Sequence, residues 1–316
     1  MRALYFDGRE LKLVDEYSLT RRGEALIKVS LAGICGTDLE ILKGYGGFRG
    51  VLGHEFVGIV EESSNPALIG ERVVGEINVG CNTCEFCRKG LMRHCPTRTV
   101  LGIRGRDGSF AEYLTLPEQN LHIVPDNVND TQAVFTEPLA AAYEVLEQVQ
   151  VEPSWKVAVL GDGRLGILIA QVLAPLVAQL DVYGRHDRKL DILRELGINA
   201  LKEASNTASH SYDLVVEATG REKGFGQAVE LVKPRGTVIL KSTIAQTYQL
   251  DLSAVVVNEV RIVGSRCGPF KPALNALARN VVKVEKLVDD VYRLDSYENA
   301  FKQASSSETL KVLIKP

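Results

Sequence analysis

Four of the six cysteines lie within fifteen residues of one another and could hold a metal ion. They are Cys81, Cys84, Cys87 and Cys95. The two short C-x-x-C spacings let neighbouring sulfurs converge on one ion, and the longer return to Cys95 closes a tetrahedron. Four protein ligands leave no open position, so residues 81–95 are predicted to form a lobe around a structural zinc ion. Reduced thiols or an iron–sulfur cluster are the alternatives.

A glycine-rich run at residues 161–166 could bind a dinucleotide, because it follows an apolar strand-like segment and opens a helix. Gly161 permits a tight turn, Gly163 lets the backbone approach a pyrophosphate, and Gly166 lets the helix pack closely. Arg164 and Leu165 open the helix, whose first N–H groups would face the phosphates. We predict that residues 161–166 bind NAD(P), with an unliganded glycine-rich turn as the alternative.

The segment after the next predicted strand bears on which dinucleotide is bound. An acid at the end of that strand would accept hydrogen bonds from the adenosine ribose. Gly184 takes this position, and Arg185, His186 and Arg188 surround it. The missing carboxylate removes repulsion towards a 2′-phosphate, which Arg185 could bind bidentately. We therefore predict NADP(H) in preference to NAD(H). The alternative is that Asp187 caps the next helix and the basic side chains are solvated.

Three further segments carry thiol, hydroxyl, imidazole and carboxyl groups. Residues 33–38 read Gly-Ile-Cys-Gly-Thr-Asp, residues 53–58 read Gly-His-Glu-Phe-Val-Gly, and residues 136–139 read Thr-Glu-Pro-Leu. Each segment alone is a weak signal, since a histidine beside a glutamate is usually just a hydrogen-bonded pair.

The elements that must position these groups fall into two regions. The first third is rich in glycine and β-branched residues, with strands predicted at 25–31, 53–60 and 71–76. Apolar residues first recur at long helical spacing over 131–150. From residue 155, strands at 156–160, 181–183, 213–217, 236–240 and 260–264 alternate with helices. One helix should end at Pro175 and another at Gly197. This alternation predicts a parallel, doubly wound sheet.

One of these strands ends in Glu217-Ala-Thr-Gly220, at the carboxyl edge of the sheet, where cofactors bind. We therefore predict that Thr219 and Gly220 lie beside the dinucleotide. After residue 268 the chain is predicted to form two short helices and a last strand at 311–314.

Composition excludes several classes of function. The chain has 316 residues, 45% of them hydrophobic and 24% charged, and a net charge of -3. Nucleic acids and anionic membranes call for a basic face, which this balance does not favour. Residues 1–15 lack the apolar core of a signal peptide, and no apolar run approaches the roughly 18 residues that span a bilayer. A cytoplasmic location is expected.

Taken together and in order, the motifs GICGTD, GHEFVG, the four-cysteine lobe, TEPLA and GDGRLG resemble the zinc-containing medium-chain alcohol dehydrogenase family. The resemblance covers nearly the whole chain and points to the polyol and sugar dehydrogenase branch. It implies an α/β protein with a GroES-like β-rich catalytic domain at residues 1–137 and 267–316. A Rossmann domain with a doubly wound parallel sheet would occupy residues 138–266, and the active site would lie in the cleft between them.

The resemblance also implies roles for the three scattered segments. Cys35 and His54 match ligands of a catalytic zinc ion, and Glu137 resembles the third ligand of the polyol and sugar branch. Glu55 matches a carboxylate that either ligates the metal transiently or sits just outside it. Asp38 matches the group that orients the zinc-bound imidazole. One thiolate and one carboxylate neutralise Zn²⁺, and three ligands leave one position open, as a catalytic site requires.

Two more residues receive roles from the resemblance. Thr37 matches the hydroxyl that binds the substrate oxygen and starts a proton relay, whose far end is either Glu40 or water. Lys311 matches a basic residue that contacts the cofactor pyrophosphate, with an ordinary surface lysine as the alternative.

These observations predict a zinc-dependent alcohol dehydrogenase or carbonyl reductase, with two zinc ions per chain. It would pass hydride between a small alcohol, such as a polyol or sugar, and NAD(P). A homo-oligomer, either a dimer or a tetramer, is expected. The alternative is a non-catalytic zinc- and dinucleotide-binding redox regulator, whose catalytic set should be broken, whereas here it is intact. The substrate stays open, although Tyr45, Phe48, Arg49 and Phe110 lie in segments that could line its pocket.

Overall fold

The protein is described from a computed structural model, which covers residues 1–202, 209–242 and 251–316. Contacts divide the chain into two units. The first comprises Met1–Glu137 and Phe270–Pro316, and the second comprises Pro138–Pro269. Within the described ranges, every helix is too short or too polar to cross a membrane.

The amino-terminal segment supplies short strands and a few short helices. The strands are β1 Ala3–Phe6, β2 Leu11–Val14, β3 Ala25–Gly33, β4 Gly50–Val51, β5 Glu55–Glu62, β6 Arg72–Gly75, β7 Asn78–Val79, β8 Thr99–Leu101, β9 Gly105–Arg106, β10 Tyr113–Leu116 and β11 Leu121–Ile123. The helices are α1 Gly36–Leu42, α2 Glu85–Arg88, α3 Asp130–Ala133 and α4 Thr136–Gln148.

The second unit supplies alternating strands and helices, and the chain then returns to the first unit. The second unit contains β12 Lys156–Leu160, α5 Arg164–Leu173, β13 Gln179–Gly184, α6 Asp187–Glu195, β14 Asn199–Lys202, β15 Tyr212–Glu217, α7 Glu222–Leu231, β16 Val232–Leu240, α8 Ser253–Val257 and β17 Arg261–Gly264. The returning segment contains α9 Phe270–Ala278, β18 Val288–Arg293, α10 Tyr297–Ala304 and β19 Lys311–Lys315.

The main sheet of the first unit has the order β11-β6-β5-β3-β19-β18, with β10 also paired to β3. The predicted strands at 25–31, 53–60 and 71–76 are confirmed as β3, β5 and β6. Strand β5 begins two residues later than predicted, because Gly53 has a left-handed φ of 94° that no extended strand adopts. His54 therefore lies immediately before the strand.

The sheet of the second unit has the order β14-β13-β12-β15-β16-β17, and every pair in it is parallel. The predicted parallel, doubly wound sheet is confirmed. Its central strands are continuous apolar runs, because helices cover both faces of such a sheet. The order is that of a dinucleotide-binding Rossmann sheet, in which ligands bind at the carboxyl ends of the strands.

The helix ends follow local chemistry. Pro175 lies in a single 3₁₀ turn directly after α5, and Gly197 follows α6 with a left-handed φ of 76°, as predicted. The region of helical spacing at 131–150 differs, because it forms two helices, α3 and α4. Val134 and Phe135 separate them and are buried, and the Thr136 hydroxyl donates to Ala133 O at 2.7 Å.

Candidate functional site

Strand pairing in the first unit brings together two of the motifs that were scattered in the sequence. Strands β3 and β5 are antiparallel, and Gly33 lies opposite Glu55. Cys35 follows β3 and His54 precedes β5, so both residues lie at the same end of this pair. One ligand atom each from Cys35, His54 and Glu55 lies within 4.8 Å of the others. This is a geometry in which a thiolate, an imidazole and a carboxylate could share a metal ion.

Two glycines make this arrangement possible. A Cβ at Gly33 would lie 2.5 Å from Glu55 Oε2, so only glycine leaves room for the carboxylate. A Cβ at Gly53 would lie 2.7 Å from Ser109 Oγ, and the positive φ at Gly53 is also unfavourable for other residues. The glycines of both motifs therefore serve the placement of the neighbouring side chains.

Asp38 holds the two segments together, although it lies on helix α1. Its Oδ2 accepts a hydrogen bond from Cys35 N at 2.8 Å, and its Oδ1 accepts one from Gly53 N at 3.2 Å. Asp38 Oδ1 also lies 3.3 Å from His54 Nδ1, in an alignment that falls short of a hydrogen bond. Asp38 thus fixes the backbone beside both predicted zinc ligands and contacts the imidazole, as the predicted orienting role requires.

The charges around His54 set its protonation. Burial by itself would lower the pKa of His54, but the Asp38 and Cys35 anions outweigh burial and raise that pKa well above its usual value. The pocket therefore favours positive charge at this position. A bound metal cation would meet the same negative surroundings.

Glu55 has an unexpected partner in Lys311. Both side chains are fully buried, and the Lys311 ammonium contacts Glu55 Oε2 and donates to Ile34 O at 3.3 Å. Glu55 Oε1 is buried and has no hydrogen-bond partner among the described residues. A buried carboxylate with an orphaned oxygen, grouped with a thiol and an imidazole, fits a metal ion.

Lys311 is thus buried beside Glu55, a pairing that the sequence did not indicate. The surface-lysine alternative is wrong, because the side chain is fully buried on Glu55. The predicted contact of Lys311 with a cofactor pyrophosphate stays a prediction. A buried carboxylate needs a counter-charge, which is the physical reason for this placement.

Three other predicted site residues lie outside the group formed by Cys35, His54 and Glu55. Glu137 is half-buried in the first turn of α4 and does not belong to the group formed by Cys35, His54 and Glu55, so its ligand role stays a prediction. Thr37 Oγ1 lies 3.8 Å from Cys35 Sγ, which places a hydroxyl beside the group. Glu40, one candidate for the end of the relay, is paired with Lys43 at 2.8 Å.

Of the four residues suggested to line a substrate pocket, two are buried and two are exposed. Phe110 is fully buried and packs edge-on against Phe301, with ring centroids 5.7 Å apart, so it belongs to the core. Phe48 is also buried, whereas Tyr45 and Arg49 are exposed.

The four-cysteine lobe forms a second candidate metal centre in the first unit. The sulfurs of Cys81, Cys84, Cys87 and Cys95 lie within 4.8 Å of one another. Hydrogen bonds from Thr83 lower the pKa of Cys81 to about 5. Burial and the neighbouring sulfurs raise the pKa of Cys87 to about 11. A cation with tetrahedral coordination would stabilise all four cysteines as thiolates and so lower the raised pKa of Cys87. The donor set therefore fits a closed zinc site.

The glycine-rich turn of the second unit joins β12 to α5. Gly161 has a φ of 114°, and a Cβ there would lie 2.6 Å from Ala218 O. A Cβ at Gly166 would lie 2.0 Å from Gly161 O, so helix and turn could not pack. Gly163 is different, because a Cβ there would meet nothing within 4 Å. This open space fits the predicted approach of a pyrophosphate to the backbone.

The residues predicted to surround the dinucleotide lie at the carboxyl ends of neighbouring strands. Thr219 and Gly220 follow β15, which pairs with β12, and Thr219 N donates to Glu217 Oε1 at 2.7 Å. Gly184 ends β13 on the other side of β12, and Arg185 and Arg188 are exposed.

The sequence motifs missed one residue here, Asp162. It is buried and its Oδ2 accepts hydrogen bonds from the backbone N–H groups of Arg185 and His186, both at 2.7 Å. It was overlooked because it occupies a variable position of the glycine motif. An acid within that turn, combined with a glycine at the strand end, was the available signal.

Family models match both parts of the chain. Residues 21–126 match the alcohol dehydrogenase GroES-like domain, and residues 131–315 match the glucose dehydrogenase C-terminus. The chain therefore belongs to the zinc-containing medium-chain alcohol dehydrogenase family, which confirms the family and the fold class predicted from the sequence. It is an oxidoreductase of the class that acts on CH–OH groups.

Individual relatives agree. D-arabinitol dehydrogenase 1 of Uromyces fabae is 29% identical, over 100% of this chain and 97% of its own length. The starvation-sensing protein RspB of Escherichia coli K12 is 30% identical, over 85% of each chain. The crystal structure of the short chain alcohol dehydrogenase rspB of E. coli CFT073, complexed with NADH, has a TM-score of 0.91 at 27% identity, covering 100% of this chain and 99% of that one.

Proposed function

We propose that this chain is a zinc-dependent, NAD(P)-linked alcohol dehydrogenase that interconverts a polyol or sugar alcohol and the corresponding carbonyl compound. The observation that carries the proposal is the group of Cys35, His54 and Glu55, whose ligand atoms lie within 4.8 Å of one another. A redox regulator without catalysis would not need this group to be intact. The similarity to D-arabinitol dehydrogenase 1 supports a polyhydroxylated substrate.

The catalytic zinc ion would be held by Cys35, His54 and a carboxylate, for which we propose Glu137. Glu55 already shares its charge with Lys311, so the thiolate of Cys35 and the carboxylate of Glu137 would balance Zn²⁺. Glu55 would then stand just outside the metal. The second zinc ion would be held by the four cysteines of the lobe and would only support the fold.

When bound, the metal supplies Lewis acidity towards the substrate oxygen, and the nicotinamide supplies the hydride acceptor. The chain's own residues do the remaining work. Thr37 Oγ1 would hold the proton of the substrate hydroxyl and pass it on, because it lies beside Cys35. Asp38 would keep the imidazole of His54 oriented and the two ligand segments in register.

The dinucleotide would bind over residues 161–166, flanked by Gly184, Arg185, His186, Arg188, Thr219 and Gly220. We propose that NADP(H) is preferred, because no carboxylate stands at Gly184 and the exposed guanidinium groups of Arg185 and Arg188 attract a 2′-phosphate. NAD(H) should also be accepted. The sequence-based expectations of a cytoplasmic location and a homo-oligomer stay predictions.

A panel assay tests this function. The purified chain should contain two zinc ions and oxidise polyols such as arabinitol or sorbitol with NADP or NAD, more slowly with simple alcohols. Removal of the weaker-bound zinc with a chelator should abolish turnover, and added zinc should restore it. A chain that holds two zinc ions and binds the dinucleotide, yet turns over no alcohol or carbonyl compound in either direction, would support the regulator instead.

A further inference from the structure

The end of β13 carries no side chain, and Asp162 fills the space that such a side chain would take. A Cβ at Gly184 would lie 2.4 Å from Asp162 Cβ and 2.6 Å from Asp162 Oδ2. The three nearest atoms all belong to Asp162, and the φ of Gly184 lies outside the left-handed region. Asp162 is therefore the nearest obstacle to a larger residue at this position among the described residues. The carboxylate of Asp162 therefore lies where the side chain of an acidic residue at position 184 would lie.

The contacts of Asp162 fix its carboxylate at this place. Its Oδ2 accepts the N–H groups of Arg185 and His186, and His186 Nδ1 lies 2.9 Å from the same oxygen. Oδ1 makes no hydrogen bond to any described residue. Burial by itself would raise the pKa of Asp162, but the hydrogen bonds from His186 and Arg185 outweigh burial and lower that pKa below its usual value, so the carboxyl is ionised at neutral pH.

We propose that Asp162 is the residue that discriminates between the two dinucleotides, by supplying from the glycine-rich turn the carboxylate that the strand end lacks. The inference rests on the proposed function only in that residues 161–166 bind a dinucleotide. Asp162 Oδ1 is the oxygen left to accept the 2′-hydroxyl of the adenosine ribose in NAD(H).

The same carboxylate opposes a 2′-phosphate in two ways. It places a negative charge beside the phosphate position, and it already occupies two backbone N–H groups that could otherwise bind an anion. Arg185 and Arg188 act in the opposite sense. Asp162 therefore limits the preference for NADP(H) and keeps NAD(H) acceptable.

The first test is Asp162→Asn in the full-length, zinc-loaded protein. Asparagine keeps the size and an acceptor for the backbone N–H groups, but loses the charge. Dissociation constants for NADH and NADPH are measured by nicotinamide fluorescence, without substrate. The ratio of Kd for NADH to Kd for NADPH should rise at least about tenfold, as expected for loss of a charged hydrogen bond. An unchanged ratio, or a shift towards NADH, overturns the proposal.

Asp187→Asn is the matched control, because it removes the same charge from a residue next to His186, which Asp162 contacts. Asp187 is exposed and pairs with Lys202 at 2.8 Å. Its replacement should change the ratio by less than about threefold, since an exposed charge is screened by solvent. An equal shift in both variants would mean that general charge, not the position of Asp162, sets the preference, and the proposal would then be wrong.

A transplant of the acid gives an independent test. Gly184→Asp alone should lower the melting temperature, because the new Cβ meets Asp162. The double variant Asp162→Gly/Gly184→Asp removes that clash and returns the carboxylate from the strand side. It should bind NADH at least as well, relative to NADPH, as the unmodified protein does. A double variant that favours NADPH as strongly as Asp162→Asn contradicts the inference.

These binding measurements stand apart from the proposed function. A chain that shows the shift in binding but oxidises no alcohol refutes the dehydrogenase function and leaves the role of Asp162 intact. A chain with full dehydrogenase activity and no shift in the Kd ratio refutes the role of Asp162 and leaves the dehydrogenase function intact.

Discussion

Lys311 and Glu55 form an ion pair in which both side chains are fully buried, although 256 residues separate them in the chain. Lys311 also donates to the carbonyl oxygen of Ile34, which directly precedes Cys35. The pair therefore links strand β19 to both segments that carry the candidate ligands Cys35 and His54. It also places a counter-charge beside a carboxylate that has one oxygen within 4.8 Å of a ligand atom of Cys35 and of His54.

Lys311→Met should destabilise the protein strongly, because it leaves Glu55 as a buried charge without a counter-charge. We expect the free energy of unfolding in urea to fall by about 3–5 kcal/mol. The double variant Glu55→Gln/Lys311→Met should be less destabilised than the sum of the single variants. Neither buried charge remains in it, so no charge is left without its partner. Strictly additive effects would show that the two side chains do not interact.

Cys35→Ser should remove the catalytic zinc and leave the fold. Metal analysis should find one zinc ion per chain instead of two, turnover should be lost, and the melting temperature should change little. Cys81→Ser is the paired variant. It should also lose one zinc ion, but it should lower the melting temperature by several degrees or more, because a structural zinc ion contributes folding free energy. Full turnover in Cys35→Ser would contradict the assignment of the catalytic metal.

Glu137→Gln and Glu55→Gln separate the two candidate carboxylate ligands. If Glu137 is the third ligand, its replacement should lower zinc affinity at the catalytic site, and Glu55→Gln should retain two zinc ions per chain. Substitutions just outside a metal typically cost about 10–100-fold in affinity, so zinc is titrated against a chelator rather than only counted. The reverse order of affinities would identify Glu55, the residue that the structure places nearer, as the ligand.

Gly163→Ala should fold normally and bind the dinucleotide poorly. A Cβ at Gly163 meets no atom of the described residues within 4 Å, so the added methyl group is expected to obstruct a ligand and not the fold. We expect Kd for NADPH to rise about tenfold or more with a nearly unchanged melting temperature.

Gly226→Ala is the matched control for this variant. It also adds a methyl group to open space, within helix α7, where alanine stabilises by about 0.5–1 kcal/mol relative to glycine. Its dinucleotide affinity should be unchanged. If Gly163→Ala binds NADPH as tightly as this control, the pyrophosphate does not approach residue 163.

The sequence was most informative where the interacting residues are close together in the chain. The four cysteines of residues 81–95 and the turn at 161–166 could be recognised directly, because each site is built within one short segment. The parallel sheet could be predicted because its buried strands are apolar runs separated by helices. The two-residue delay of β5 and the break between α3 and α4 were missed, since local spacing does not report a glycine's φ or the packing of Val134 and Phe135.

The sequence by itself determined the motifs, the order of the elements and the residue types available for zinc and dinucleotide chemistry. The tertiary structure alone decided which carboxylate stands among the candidate ligands, and that Lys311 is buried against it. It also decided that the side chain of Asp162 fills the space at the end of strand β13, where Gly184 has no side chain. The reason is common to all three: a charge is fixed by the partners that surround it in space, and those partners are 256 residues away for Glu55 and 23 or 24 residues away for Asp162.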